Sequence, residues 1–151
     1  MITVVAIGKK HENWLVEGIE RYEKRLKAPF NTKWVFLRSS SQKGTTASKE
    51  ESESIINKLK PDDFVVLLDE RGDMFDSPGL SKVLTTPLEQ SKNVVIIIGG
   101  AYGVSEELQK RANIVWSLSP LVFPHQLVRL VLVEQLYRAQ TIRDGQPYHN
   151  G

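Results

Sequence analysis

From His125 to Arg143 the chain reads HQLVRLVLVEQLYRAQTIR, uninterrupted by glycine or proline, and this segment must be one long helix. Its apolar residues, Leu127, Val128, Leu130 to Val133, Leu136, Tyr137, Ala139 and Ile142, do not confine themselves to one stripe of a 3.6-residue period. Such a helix has to be covered on more than one side. Its length of about 19 residues would just span a bilayer, but Arg129, Glu134 and Arg138 interrupt it. The reading favoured is a helix held between its own sheet and a second subunit. Pro124 suits the first turn, where its missing N–H would have no partner. Asp144-Gly145 ends the helix, and a polar, aromatic tail, Gln146 to His149, follows.

A chain of 151 residues is an ordinary single domain, taken as residues 1–151. The absence of cysteine excludes disulfides and thiolate metal sites, and it agrees with a reducing compartment. MITVVAIGKK has too short an apolar run for a secretory segment and reads as a buried strand, so a cytoplasmic location is expected. Lys and Arg outnumber Asp and Glu by 12 to 7 in residues 1–60 and are outnumbered 3 to 7 in residues 61–93. Lys24, Arg25, Lys27, Lys33, Arg38 and Lys43 are candidates for a surface facing phosphates, or for nothing more than a solvated face.

Ile2 to Ile7, Trp34 to Leu37, Phe64 to Leu68, Val94 to Ile98 and Ile114 to Leu118 are apolar runs of strand length. Amphipathic segments separate them. The first covers Glu12 to Leu26. The second is expected to start at Ser48 with Glu51 completing a capping box, and the third, from Ser77-Pro78, to kink or stop at Pro87. Ser105 caps the fourth. Alternating elements with continuous apolar strands predict an α/β domain with a mainly parallel sheet flanked by helices. Ligands in such sheets sit beyond the carboxyl ends of the strands, which directs attention to Leu68 to Gly72, Gly99 to Gly103 and Leu118 to Phe123.

Gly99, Gly100 and Gly103 would let a backbone approach a ligand closely, or would only form a turn. Glu106 and Glu107 argue against a phosphate there. No dinucleotide fingerprint, P-loop, metal motif or G-x-S-x-G elbow is present. His11 reads as a solvated loop residue, and His125 as a backbone partner or a chemical group. His149 lies near the terminus, but Pro147 and Tyr148 beside it suggest docking.

LLDERG at Leu67 to Gly72, IIIGGAYGVS at Ile96 to Ser105, WSLSPLVFPHQLVRLVLVEQLYRA at Trp116 to Ala139 and the terminal PYH together resemble the RlmH family, small SPOUT-type methyltransferases. The likeness runs essentially the whole chain. It implies a C-terminal trefoil knot, a rare exception to the rules of chain connection. It also implies a homodimer that methylates N3 of a pseudouridine in large-subunit (23S) ribosomal RNA, within the ribosome, using S-adenosylmethionine. Leu68, Gly99 and the run Leu118, Ser119, Pro120, Leu121, Val122 and Phe123 match the positions that enclose the cofactor. Most are apolar or glycine, so recognition would rest on backbone groups and packing. No metal is implied.

Methyl transfer from a sulfonium mainly requires that donor and acceptor be positioned. Candidates for handling the acceptor's proton are His149 as a general base, Tyr148 as a hydrogen-bonding or stacking group, and Arg138 as a cation favouring the deprotonated base. Arg138 could equally be an (i, i+4) partner of Glu134. Two other classes stay open: a non-catalytic RNA- or ribosome-binding module of the same fold, and nucleotide-dependent chemistry on a similar sheet.

Overall fold

The computed structural model describes residues 1–150. Strands β1 (Ile2–Ile7), β2 (Thr32–Leu37), β3 (Phe64–Asp73), β4 (Val94–Ile98) and β5 (Ile114–Trp116) alternate with helices α1 (Asn13–Glu23), α2 (Gly44–Ile56), α3 (Ser77–Glu89), α4 (Glu106–Arg111) and α5 (His125–Arg143). The strands form one sheet in the order β2-β1-β4-β3-β5, and every pair is parallel. All five carboxyl ends therefore point the same way. No helix among the described residues is long and apolar enough to cross a membrane.

Side chains alternate between the two faces of the sheet. Ile2, Val4, Ala6, Val66, Ile96 and Ile98 pack with α3 and α5 through Leu80, Leu84, Leu132 and Leu136. Val5, Ile7, Val65, Leu67, Val95 and Ile97 meet Ile55 of α2 and Leu108 of α4 on the other face. Burying both faces is what makes β4 a continuous run of Val and Ile. Truncating Ile97 to alanine would cost about 2 to 5 kcal/mol.

The apolar surface of α5 is largely satisfied within the chain. The sheet lies beneath it, α3 packs along one flank, and Leu15 and Ile19 of α1 meet Val133 and Leu130 on the other. The argument from α5 to a second subunit therefore loses much of its force. What stays half-buried and outward is Leu127 and Val131. Pro124 is the residue before the helix rather than its first turn, and at the far end Gly145 (φ +69°) allows Gln146 N–H to reach Thr141 O at 2.8 Å.

Four other local expectations give way to packing. Helix α2 starts at Gly44, so Ser48 and Glu51 lie inside it and are buried, not capping. Helix α3 carries Pro87 in its last turn and runs on to Glu89. Strand β5 ends at Trp116, two residues short of Leu118. Strand β3, expected to turn away after Leu68, continues to Asp73 through an irregularity and pairs again with Trp116. Gly72 makes this possible, because a Cβ there would lie 2.7 Å from Trp116 N.

Candidate active site

The three loops singled out in the sequence close around one cavity of about 830 Å³ at the carboxyl ends of β3, β4 and β5. Leu68, Gly99, Leu118, Ser119, Leu121, Val122 and Phe123 all line it; Pro120 alone of the expected set does not. The size suits a nucleoside-bearing ligand. Its walls are mostly aliphatic, and the sequence feature that betrays them is simply the apolar run at each strand end.

Each wall is held by its own local device. After Leu68, the Asp69 carboxylate accepts from Arg71 N and Nε at 2.9 Å each and from Nη2 at 2.8 Å. Those bonds to Arg71 lower the Asp69 pKa. After β4, Gly103 N–H donates to Gly100 O at 3.1 Å, closing a tight turn in which Gly103 adopts φ +77°. A Cβ on Gly99 would sit 2.7 Å from Val104 Cγ1, and one on Gly100 would run into the Glu51 carboxylate. Two successive residues are thus kept bare by what packs behind them, leaving backbone open to a ligand. Ser105 N–H donates to Ser52 Oγ at 2.8 Å, and Ser105 Oγ accepts from Leu108 N, so the cap expected there is formed. In the third loop Ser119 Oγ accepts from Leu121 N at 3.0 Å and so shapes the turn.

His125 joins the cavity from the first turn of α5. Burial first, and then the Arg129 charge, lowers its pKa, so the ring stays neutral at physiological pH. Arg129 is 1% exposed; its Nη1 donates to Lys9 O at 2.8 Å and its guanidinium lies over the Phe36 ring. It ties α5 to the loop after β1. His11, read as solvated, instead packs edge-on against Trp34 and Phe36, where burial and Arg129 push its pKa down to about 4. Glu51 and Arg129 each keep a buried polar atom without a partner, Oε1 and Nε respectively. Neither residue drew notice as part of this site, because their burial depends on contacts between elements far apart in sequence.

The C-terminal tail folds back onto α5. Arg138 donates from Nε to Glu134 Oε1 at 2.9 Å and from Nη2 at 2.6 Å, while Nη1 lies 3.1 Å from His149 Nδ1. The (i, i+4) pair and the link to the tail thus exist together. A guanidinium has no lone pair, so Nδ1 must be the acceptor, and a neutral His149 ring carries its proton on Nε2. The Tyr148 ring lies under the Arg138 guanidinium at 4.8 Å and edge-on to Tyr137 at 4.7 Å. Its hydroxyl donates to Glu134 Oε1 at 3.3 Å, and burial above all raises its pKa to about 12. His149 lines a second cavity, between α3 and α5, whose wall also includes Trp116 and Leu118. Those two residues belong to the first cavity as well.

Lys24, Arg25, Lys27, Lys33, Arg38 and Lys43 are all exposed but do not form one patch. The first four lie before or at the start of β2 and the last two beyond its carboxyl end, about 20 Å apart for a six-residue strand. Only Arg38 and Lys43 share the end of the sheet that carries the cavities.

A parallel α/β sheet with its ligand cavity formed by three strand-end loops and a helix-docked tail is consistent with a methyltransferase of the SPOUT class, and comparison with known proteins agrees. Residues 1–149 match the family described as "Predicted SPOUT methyltransferase", and the chain belongs to that family. It is 40% identical over 156 aligned positions to the ribosomal RNA large subunit methyltransferase H of Desulfitobacterium hafniense, covering 98% of each chain. The protein of the same name from Prochlorococcus marinus is 41% identical over 146 positions, covering 97% of this chain and 93% of the relative. A crystal structure of a methylase family protein from Neisseria gonorrhoeae shares the fold at a TM-score of 0.50 and 12% identity, over 99% of this chain and 86% of that one. The protein is therefore a methyltransferase that uses a methyl donor, and the readings as a silent binding module or a nucleotide-dependent enzyme fall away.

Proposed function

We propose that this protein methylates N3 of a pseudouridine in 23S ribosomal RNA, within the assembled ribosome, with S-adenosylmethionine as the donor. The observation that carries the reading is the convergence of Leu68, Gly99 and Leu118 to Phe123 on one largely aliphatic cavity, in a chain whose relatives are named ribosomal RNA large subunit methyltransferases. The bare backbone at Gly99 and Gly100 fits a ligand recognised by shape and main-chain groups. S-adenosylmethionine would supply an electrophilic methyl group on a sulfonium that leaves as a neutral thioether.

The residues of this chain do the rest. The acceptor base loses the proton on N3 to solvent and gains the methyl carbon in its place, so negative charge has to be stabilised on the base beforehand. Arg138 supplies a fixed positive charge, and the Nε2–H of His149, oriented by Arg138, can donate to a carbonyl flanking N3. A general-base role for His149 would require its Nδ1 to leave Arg138, so the donor role is the one assigned. Tyr148, kept protonated by its high pKa, packs the tail in place.

In this reading the enzyme is a cytoplasmic homodimer with the C-terminal knot of its class. Leu121 and Val122, exposed at the cavity rim, and Leu127 and Val131 on α5 offer apolar surface to a second copy. Sedimentation at micromolar concentration should give a dimer; an active monomer would contradict that part. Calorimetric titration should show binding of S-adenosylmethionine and none of NAD or ATP. Binding of a dinucleotide without S-adenosylmethionine would overturn the proposed function.

A further inference from the structure

We infer that the cavity between α3 and α5 is the subsite for the acceptor base, with Ser77 and Gln135 reading the edge that distinguishes pseudouridine from uridine. The inference rests on the function proposed above. The cavity holds about 550 Å³, room for a nucleoside, and shares Trp116 and Leu118 with the donor cavity. Ligands in the two spaces would meet at those side chains, as a methyl donor and its acceptor must. Phe75 and Val131 give it an apolar flank, while Ser77, Gln135 and His149 give it a polar one.

The polar flank is a single hydrogen-bonded chain. Ser77 Oγ donates to Gln135 Oε1 at 2.9 Å, Gln135 Nε2 donates to Glu134 Oε2 at 2.8 Å, Glu134 Oε1 accepts from Arg138, and Arg138 reaches His149. Each group is oriented by the next, so the wall is preorganised. Because Ser77 has given its hydrogen to Gln135, its oxygen can act only as an acceptor toward a ligand. Gln135 retains a second amide hydrogen to donate. An acceptor beside a donor complements an N–H beside a C=O, the edge of an imide-type base.

Pseudouridine carries two ring N–H groups, at N1 and N3, because its sugar is attached through carbon; uridine has only N3–H. Placing N1–H on Ser77 and the neighbouring carbonyl on Gln135 turns N3 away from this wall and toward the donor side. Uridine would leave Ser77 facing an unpaired edge. The Asp76 carboxylate, also in this wall, opposes a phosphate and so favours a base here.

Two measurements test this. Single-turnover methylation should be compared on ribosomes carrying pseudouridine or uridine at the acceptor position, for wild type, Ser77→Ala and Gln135→Met. Wild type should prefer pseudouridine, and each variant should lose about tenfold on it, with S-adenosylmethionine affinity and melting temperature unchanged; Ser77→Ala should also narrow the preference. Full rate and full preference in both variants would overturn the subsite. In the second, pseudouridine 5′-monophosphate is titrated into protein saturated with S-adenosylhomocysteine, and the Gln135 side-chain amide resonances should shift. Shifts confined to other residues would overturn it. If wild type methylates no ribosomes the proposed function falls, and this second measurement decides the subsite alone.

Discussion

On one side of Trp116 and Leu118 the walls are glycine, aliphatic side chains and tight turns; on the other they are an ionic chain running from Ser77 to His149. The first cavity depends on backbone left bare, as at Gly99, where Val104 fills the space behind. The second depends on side chains that orient one another. A ligand recognised by shape needs the first kind of wall, and a base whose proton has to leave needs the second. The division separates binding of the donor from transfer of the methyl group, and it can be broken by changing one side at a time.

The largest effect is expected from Gly99→Val. Its Cβ would meet Val104 and drive the loop into the first cavity, so calorimetry should detect no binding of S-adenosylmethionine while circular dichroism reports a folded chain. Unchanged affinity would make Gly99 a plain turn residue. Next comes Arg138→Gln on the other side, which removes the charge that orients His149; single-turnover transfer should fall roughly hundredfold, with donor affinity retained. Tyr148→Phe removes only the 3.3 Å contact to Glu134 and should cost about threefold to tenfold. The smallest effect concerns neither cavity. His11 has a folded pKa of about 4 against 6.5, so between those values the unfolded chain binds the extra proton. The stability that His11 contributes is therefore complete above pH 6.5 and lost as pH falls toward 4. Replacing it with glutamine should flatten the acid limb of the melting-temperature profile in that window; an unchanged slope would show that His11 titrates normally.

The first cavity was legible in the sequence because its determinants are local. Each strand is an apolar run, each loop follows at once, and an all-parallel sheet brings their ends together; of the residues named, only Pro120 misses the lining. The second side was legible only in part. Arg138 and Glu134 are four apart on a helix, but nothing in the order of residues says that Ser77 meets Gln135, or that Arg138 reaches back to His149. Burial was harder still. Glu51 looked like a cap and His11 like a loop residue, and Arg129 looked like an interruption of α5, until packing between distant elements enclosed all three. The α5 surface suggested a partner chain, whereas α1 and α3 cover most of it. A sequence shows that a face must be covered, and not by what.

The most direct test of the divided site removes residues 147 to 151, which takes away Tyr148 and His149 and touches none of the donor loops. Wild type and truncated protein, each saturated with S-adenosylmethionine, would be compared in single-turnover methylation of ribosomes lacking the modification, with donor affinity measured in parallel. The truncation should stay folded and bind the donor nearly as well, while methyl transfer falls at least about a hundredfold, the loss typical of removing a group that handles the proton or its charge. Equal rates, or a donor affinity that falls in step with the rate, would contradict it.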